Sequence, residues 1–302
     1  MKKHVIIDCY LDLDDLIMIG IASKKAEINL IAICATLSNS YENIEIESKK
    51  YLSYFHPLPE ISIDYSDAVS NIPYITHSVF ENIADTGSIQ LRKTNESSLD
   101  FLKNILLSSS EKITLVATGN LNKYSNLIKK YPEIKSCIEK IVIAGGAYIG
   151  GDITPSSEYS IHQDSHSANF IFECGIPIVL CGLDVIHKAI FSPYEIDKFA
   201  HFYTTHSKLI FQASKKLLEK EKSHWEFGGI SLYGATALAY LICPDMFIER
   251  ECYAAVETCG ALTLGQTVID FHEILGKENN CLLLTDINHN EIIEFCINTF
   301  RE

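Results

Sequence analysis

The sequence has 302 residues, of which 47% are hydrophobic and 21% are charged, and this balance is typical of a globular protein and excludes a mostly disordered chain. Aspartate and glutamate (39 residues) outnumber lysine and arginine (25 residues), which gives a formal net charge of −14. A surface this acidic repels phosphate backbones and anionic lipid headgroups, so it argues against general nucleic-acid binding and against docking on membranes.

Short runs of β-branched residues alternate with helical segments along the chain. In chain order, strands are predicted at Val5–Ile7, Ile28–Ala35, Ile113–Ala117, Ile141–Ile143 and Ile176–Leu180. Helices are predicted at Leu16–Ser23, Asn43–Tyr54, Asn122–Lys130 and Ser165–Cys174. Because such strands are apolar on both faces, the alternation predicts one α/β domain over residues 1–302, with a mostly parallel, Rossmann-like central sheet flanked by helices. Irregular insertions are expected near residues 57–96 and 193–229.

The ten cysteines are scattered, and no pair has the C-x-x-C spacing of a zinc or redox site. Several lie inside apolar runs, as Cys34 and Cys181 do, which predicts buried, reduced thiols. No apolar stretch reaches the roughly 18 residues that a membrane-spanning helix needs. The N-terminal sequence HVIID has the pattern of a first strand rather than of a signal peptide. We therefore expect a soluble, cytoplasmic protein.

Polar residues follow the predicted strands. They are Asp8 to Asp15 after the first strand, Asn39 after the second, and Thr118-Gly119-Asn120, Gly145-Gly146 and Asp184 after the later ones. Ligands of doubly wound sheets bind beyond the carboxyl ends of the strands. We therefore expect these residues to converge on one rim of the sheet.

The loop after the first strand carries four carboxylates in eight residues, at Asp8, Asp12, Asp14 and Asp15. Carboxylates this close repel each other unless a cation or hydrogen-bond donors absorb the charge. A cluster of oxygen ligands suits Ca²⁺ or Mg²⁺. Acidic residues at the start of a helix also cap its free N–H groups. Spacing alone leaves both interpretations open.

Several segments carry motifs that together resemble a known family. The first strand and loop read IIDCYLDLDD, and later segments read ITLVATGNLNKYSNLIKKYPEI, IVIAGGAYIGGDITPSSEYSIHQDSHSA, IPIVLCGLDVIHKA, ALAYLICPDMF and VETCGALTLGQTVID. In this order they are similar to the DxDPGxDD loop, the TGPLTN turn, the MGG…GN-x-TP…EFNI stretch, the PLDLTH segment, a late helix and the GQTVVD region of the inosine–uridine preferring nucleoside hydrolases. The resemblance covers nearly the whole chain.

This resemblance implies hydrolysis of the N-glycosidic bond of a purine, pyrimidine or modified ribonucleoside to base and ribose, in nucleoside salvage. In that family one Ca²⁺ at the strand ends holds the ribose hydroxyls and a water, which a metal-bound aspartate activates. Carboxylates around the ribose stabilise an oxocarbenium-like transition state. The resemblance also implies a small-molecule nucleoside as partner and a homodimer or homotetramer.

The resemblance assigns roles to individual positions. The candidate ligands, if a metal is bound, are Asp15, Thr118 through its main-chain carbonyl, and Asp8. The candidate substrate-binding residues are Asp14, Asn39, Asp152, Glu158, Ser160, Tyr10 and Tyr233. The candidate catalytic carboxylates are Asp8, Asp12 and Asp14.

Several positions depart from the family pattern where the chemistry takes place. Tyr10 replaces the presumed base, which is also a metal ligand, and Tyr233-Gly234 replaces a His-Asp pair that supplies a candidate acid and another ligand. Leu11-Asp12 replaces Pro-Gly, and Asp152 and Ser160 replace asparagines. A phenol with a pKa of about 10 is a poor ligand for a hard cation, so the Ca²⁺ site should be depleted. Two of the new groups, Asp12 and Asp152, could rebuild the Ca²⁺ site. Tyr10 and Tyr233 could stack on a nucleobase.

Three hypotheses follow. The first is a nucleoside hydrolase with a remodelled site. The second is a catalytically inactive protein that binds a nucleoside or ribosyl ligand, or a regulatory protein on the same scaffold, since the base and the metal are lost together. The third is transfer of the ribosyl group to an acceptor other than water, which no residue of the sequence specifically favours.

Overall fold

The computed structural model describes residues 2–37, 52–55, 58–65, 96–220 and 228–301. The described strands are β1 (Lys3–Cys9), β2 (Ile28–Leu37), β3 (Ile61–Tyr65), β4 (Ile113–Ala117), β5 (Ile138–Ala144), β6 (Ile178–Cys181), β7 (Ile190–Phe191), β8 (Ile230–Ser231), β9 (Phe247–Val256), β10 (Thr267–Asp270) and β11 (Cys281–Ile287). Nine of them form one sheet with the order β10-β9-β11-β6-β5-β4-β1-β2-β3, and β7 pairs with β8 in a short antiparallel ribbon.

Seven neighbouring strands of the large sheet, from β11 to β3, are parallel. Strand β9 runs antiparallel to both β11 and β10 at one edge. The five predicted strands correspond to β1, β2, β4, β5 and β6, with ends that differ by up to three residues. The predicted fold class, a single α/β domain with a mostly parallel, Rossmann-like sheet flanked by helices, is confirmed.

Helices connect the parallel strands. The described helices are α1 (Leu13–Lys24), α2 (Ser98–Ser108), α3 (Asn122–Lys130), α4 (Tyr159–Gln163), α5 (Ser165–Glu173), α6 (Leu183–Ile186), α7 (Pro193–Phe199), α8 (Thr205–Lys220), α9 (Tyr233–Ile242) and α10 (His289–Arg301). Three predicted helices correspond to α1, α3 and α5. Most of the fourth, Asn43–Tyr54, lies outside the described residues.

Two apolar layers cover the two faces of the sheet. Along β1, Val5, Ile7 and Cys9 belong to one layer and Ile6 to the other, because alternate side chains of a strand point to opposite faces. The first layer is completed by α1, α8, α9 and α10, and the second by α2, α3 and α5. Burial on both sides explains why the central strands are apolar throughout.

Within the expected insertion at residues 193–229, the structure describes two helices, while residues 221–227 lie outside the described residues. Helix α7 begins with a capping box between Ser192 and Glu195, and α8 follows it. Leu209, Ala213 and Leu217 of α8 recur at helical spacing and pack on the core. The alternation of strand and helix that located the other elements does not extend into residues 193–220, because no strand of the large sheet is described there. The other expected insertion, 57–96, is described at residues 58–65, which include β3, and at Glu96.

All ten cysteines are unpaired thiols. Among the described residues, no helix combines the length and the apolar character needed to cross a membrane.

Candidate functional site at the carboxyl ends of the central strands

The carboxyl ends of β1 and β4 lie side by side where the strand order reverses. From β1 the chain builds β2 and β3 on one side, and then β4 on the other. Just beyond β4, the main-chain N–H of Thr118 donates to the carbonyl of Asp8 in β1 (3.0 Å). Crevices of this kind are the ligand sites of doubly wound sheets. The acidic loop after β1 and the residues after β4 therefore meet at one rim.

The loop between β1 and α1 combines a left-handed residue with a helix cap. Leu11 has a φ of +59°, a region that favours glycine. Asp12 is the N-cap of α1, and its carboxylate accepts the N–H of Asp15 (2.9 Å). This bond satisfies one of the free donors of the first helical turn. Helix capping is therefore one role that the structure gives Asp12.

Both carboxylate oxygens of Asp15 accept hydrogen bonds from the protein. The hydroxyl of Thr118 donates to Oδ1 (2.5 Å), and the main-chain N–H of Tyr10 donates to Oδ2 (2.8 Å). Burial raises the pKa of Asp15 well above its usual value, Asp12 raises it further, and the bond from Thr118 lowers it. Thr118 thus contacts Asp15 through its hydroxyl group.

Asp14 is anchored through one oxygen. Its Oδ2 accepts the N–H of Gly234 at the start of α9 (2.6 Å). Its Oδ1 is buried and has no hydrogen-bond partner among the residues that the structure describes. Burial raises the pKa of Asp14 well above its usual value, as do the charges of Asp12 and Asp15, while the bond from Gly234 lowers it. One oxygen is therefore fixed in position while the other remains able to accept a proton.

Tyr10 is buried between the two strand ends. Its hydroxyl oxygen accepts the N–H of Asn120 (2.8 Å), and a Cβ placed on Gly119 would lie 3.2 Å from its Cζ. Burial raises the pKa of the phenol, and the charge of the nearby Glu158 contributes in the same direction. Because Tyr10 is 6% exposed, it offers no open ring face. The sequence analysis expects Tyr10 to stack on a nucleobase. In this structure its ring packs inside the protein instead.

A side chain at Gly234 would displace the end of the Met18 side chain. A Cβ at this position would lie 2.8 Å from Sδ of Met18, 3.0 Å from its Cε and 3.0 Å from Cγ2 of Thr118. Real Cβ atoms essentially never approach other atoms to less than 3.0 Å. The thioether and the methyl group therefore occupy the space that a longer residue would need. Tyr233, the neighbouring candidate, is partly buried against the same core, and its role in substrate binding stays a prediction.

A buried lysine that the sequence analysis missed neutralises Asp8. The ammonium group of Lys123, in α3, lies 2.7 Å from Oδ1 of Asp8 and 3.4 Å from Oδ2 of Asp64 at the end of β3. Burial lowers the pKa of Lys123, but the charges of Asp8, Cys34 and Asp64 raise it more, so its pKa lies above the usual value. The signal available in the sequence was the lysine in TGNLNK, where the resembling motif TGPLTN ends in asparagine.

A second group of predicted residues lies on the segment after β5. Oε1 of Glu158 accepts the N–H of Ser160 (2.9 Å), and its Oε2 accepts those of Gly146 (3.0 Å) and Ile161 (3.1 Å). Glu158 thus caps α4. Oδ1 of Asp152 accepts the N–H of Tyr159 (2.8 Å). Burial and the charge of Glu158 raise the pKa of Asp152 to about 7.

The structure therefore brings most of the predicted site residues into two groups. Asp8, Asp12, Asp14, Asp15, Thr118 and Tyr10 lie on the loops after β1 and β4. Asp152, Glu158 and Ser160 lie on the segment after β5. Asn39 lies outside the described residues. Carboxylate oxygens of Asp12, Asp14 and Asp15 lie within 4.8 Å of one another, which is close enough for all three to contact one metal ion.

A sequence model of the family described as inosine-uridine preferring nucleoside hydrolase matches residues 5–294. The chain belongs to this family. A relative from Klebsiella pneumoniae, named pyrimidine-specific ribonucleoside hydrolase RihA, is 27% identical over 301 residues, covering 97% of each chain.

Solved structures show the same architecture. A purine-preferring ribonucleoside hydrolase from Gardnerella vaginalis superposes with a TM-score of 0.84 at 22% identity, covering 99% of this chain and 98% of the other. The plant nucleoside hydrolase PpNRh1 superposes with a TM-score of 0.87 at 16% identity, covering 100% and 99%. At these identities the likeness establishes the fold.

The calcium site that the family resemblance implies does not fit the residues present. An acidic cluster exists, but Gly234 supplies no side-chain oxygen, the end of the Met18 side chain and the Thr118 methyl group lie where a longer side chain would extend, and Tyr10 supplies a buried phenol in place of a carboxylate. Ca²⁺ normally gathers six to eight oxygens. We therefore derive the chemistry of the site from its own side chains.

Proposed function

We propose that this protein hydrolyses the N-glycosidic bond of a ribonucleoside and releases the free base and ribose. Membership of the family over residues 5–294 supports the reaction class. The observation that carries the proposal is the geometry of Asp14 at the crevice between β1 and β4. One oxygen is held by Gly234, and the other is buried without a partner in the described structure.

In the proposed reaction, water adds to the C1′ atom of the ribose. Asp14 Oδ1 accepts a proton from this water as the new C1′–oxygen bond forms. The bond between C1′ and the base nitrogen breaks, and its electron pair leaves with the base, which takes up a proton from solvent water. Asp14 then releases the proton that it accepted to solvent, so that the net reaction adds one water molecule across the bond. A general base must lie within hydrogen-bonding reach of the proton that it removes. An anchored carboxylate with a free oxygen satisfies the protein's side of this requirement.

The other carboxylates are assigned to the sugar. As the bond to the base breaks, positive charge develops on the ribose, and fixed negative groups around it stabilise that charge. We assign Asp15 to the hydroxyl side of the ribose and Asp152 to its 5′ side, next to Glu158. The hydrogen bonds from Thr118 and from the main chain hold these groups in position before a substrate binds.

The test is base release from a panel that includes uridine, cytidine, inosine, adenosine and guanosine. Free base is quantified by chromatography and ribose by a reducing-sugar assay. Asp14→Asn keeps the size of the side chain and an oxygen that can accept the Gly234 N–H, but it removes the base. General base catalysis contributes roughly 10²- to 10⁴-fold, so we expect a rate loss of that order for at least one nucleoside.

The matched control is Asp270→Asn, which changes a carboxylate that accepts N–H groups in the exposed turn after β10. We expect it to retain the full rate. Absence of base release from the whole panel by the folded wild-type protein would refute the proposal.

A second function, nucleoside binding without turnover, is favoured by the buried Tyr10 and by the filled space at Gly234. It predicts saturable binding of a nucleoside in a calorimeter together with no base release. Turnover that Asp14→Asn abolishes would exclude it.

We also propose that the protein forms a homo-oligomer, the partner being a second copy of the chain. Leu262 is 86% exposed in the turn between β9 and β10. The hydroxyl of Ser156 donates to the carbonyl of Leu262 (2.5 Å), so this apolar side chain lies beside the segment that carries Asp152. The family resemblance carries this proposal, and Leu262 is the exposed apolar position at which we test it. The cytoplasmic location stays a prediction.

A further inference from the structure

We infer that this member of the family has given up calcium and that protein groups occupy the place of the ion. The inference concerns metal binding, so it is tested independently of the proposed hydrolysis. It depends on three features of the rim: a position without a ligand at Gly234, a buried phenol at Tyr10, and protein donors on Asp8 and Asp15.

The first feature is steric. The family resemblance assigns a metal ligand to position 234, where this chain has glycine. The space beyond Gly234 is taken by the thioether of Met18 and by the Thr118 methyl group, both within 3.0 Å of the point where a Cβ would stand. Met18 is completely buried. A sulfur atom and two carbon atoms are poor neighbours for a hard cation, which selects oxygen ligands.

The second feature is the state of Tyr10. A neutral phenol is a poor ligand for a hard cation, and Tyr10 is buried between the two strand ends. Its oxygen accepts the N–H of Asn120, and its ring lies against Gly119. Turning the hydroxyl group toward an ion would break this bond. Tyr10 therefore acts as a neutral filler between the two strand ends.

The third feature is compensation of the negative charge. Asp15 accepts two hydrogen bonds, from Thr118 and from Tyr10, and Asp14 accepts the N–H of Gly234. Asp8 forms a buried ion pair with Lys123 at 2.7 Å. Asp8 and Asp15 are therefore held by protein donors in the absence of an ion, whereas Oδ1 of Asp14 has no hydrogen-bond partner among the described residues.

The remaining acidic group does not restore the site. Asp12 lies near Asp14 and Asp15, but one of its oxygens caps α1 by accepting the N–H of Asp15. Moving Asp12 into a coordination shell would give up that cap, at a cost of roughly 1 kcal/mol. If each of the three carboxylates bound through one oxygen, water or main-chain carbonyls would have to supply at least three of the six to eight oxygens that Ca²⁺ normally collects.

The experiment is a calorimetric titration of chelator-treated wild-type protein with CaCl₂ up to about 5 mM, since the weakest protein calcium sites have a Kd of roughly 10⁻³ M. Asp15→Ala is the control. We expect the same non-saturating heat for both proteins and no change in the melting temperature of the wild type between calcium and EDTA. Saturable one-site binding by the wild type that is lost in Asp15→Ala would overturn the inference.

A reconstruction tests the steric argument. Tyr10→Asp with Gly234→Asp restores the two carboxylates, and adding Met18→Ala makes room for the second. We expect the triple variant to bind Ca²⁺ at least tenfold more tightly than the double variant, and to melt at a higher temperature in calcium than in EDTA. Equal affinity of the double and triple variants would contradict the role of Met18. If the variants do not fold, the wild-type titration still decides the inference.

Base release in EDTA separates this inference from the proposed function. Release that is unchanged by EDTA agrees with both. Saturable calcium binding by a protein that releases base refutes the inference and leaves the hydrolase proposal standing. A protein that neither binds calcium nor releases base refutes the hydrolase proposal alone.

Discussion

Replacing Lys123 with methionine is expected to lower the free energy of unfolding by about 3–5 kcal/mol, because it leaves a buried carboxylate without its counter-charge. The side chains of Lys123 and Asp8 are 7% and 5% exposed, and their charged atoms are 2.7 Å apart. Methionine retains most of the volume of the lysine chain, so the loss comes mainly from the unpaired charge on Asp8.

The effect on thermal stability follows from the length of the chain. Unfolding entropy is about 2.1 cal/mol/K per residue near 60 °C, so 302 residues give about 0.6 kcal/mol/K. A loss of about 3–5 kcal/mol then lowers the melting temperature by about 5–8 °C. The measurement is the melting temperature by calorimetry or circular dichroism at pH 7.

The matched control is Lys188→Met. The ammonium group of Lys188 lies 2.8 Å from Asp286, nearly the same distance, but the two side chains are 46% and 49% exposed. Exposed ion pairs contribute at most about 1 kcal/mol, so we expect a shift below about 2 °C.

The dependence on pH separates charge from packing. Burial raises the pKa of Asp8, and Lys123 lowers it. Without Lys123 the pKa of Asp8 in the folded protein rises further above its unfolded value. In this variant, Asp8 contributes to the free energy of unfolding while its carboxyl group is protonated at low pH. That contribution is lost as the pH rises through the pKa of Asp8 in the folded protein. The deficit of Lys123→Met should therefore shrink on acidification, and adding Asp8→Asn should recover most of it. A loss equal to that of Lys188→Met, or one that neither acid nor Asp8→Asn relieves, would refute the reasoning.

Three further predictions concern other parts of the site and its surface. Gly234→Ala should destabilise the protein by about 1–3 kcal/mol through overpacking, although alanine is the better helix former. Adding Met18→Ala should relieve this loss. Chemical unfolding of the single and double variants measures both effects. The pKa of Asp152 is about 7 in the folded protein and roughly 3.9 in an unfolded chain, so folding favours its protonated form. The contribution of Asp152 to the free energy of unfolding is therefore present below roughly pH 4 and is lost as the pH rises through 7. Asp152→Asn should therefore flatten the curve of melting temperature against pH over this range, and an unchanged curve would contradict the assignment. Leu262→Glu should shift the protein toward monomer in light scattering after gel filtration, whereas an unchanged mass would exclude this face as the interface.

Much of the fold could be predicted from the sequence, because the signals involved are local. Runs such as Ile113–Ala117 are apolar and β-branched, and they form strands of the parallel sheet as predicted. Helix Asn122–Lys130 was predicted with the observed bounds. The family could also be predicted, because its motifs are contiguous segments whose order along the chain is preserved.

The chemical state of the site depended on contacts that no local pattern reports. Lys123 and Asp8 are 115 residues apart, and Gly234 and Asp14 are 220 residues apart. The sequence identified Tyr10 and Gly234 as departures from the family, but the packing of Met18 against Gly234 and the burial of Tyr10 appear only in the folded chain.

The sequence by itself determined the parallel α/β sheet and the family, and it predicts the rim on which the polar residues converge and the positions that depart from the family pattern. Periodicity and motif order carry this information, since both depend on residues close together in the chain. The tertiary structure decided which carboxylates are paired, which oxygen of Asp14 is free, and whether space for a ligand remains. These properties depend on distances between segments that lie far apart in the sequence. Burial makes the free energy of each charge sensitive to its partners, because it removes the water that would otherwise solvate the charge.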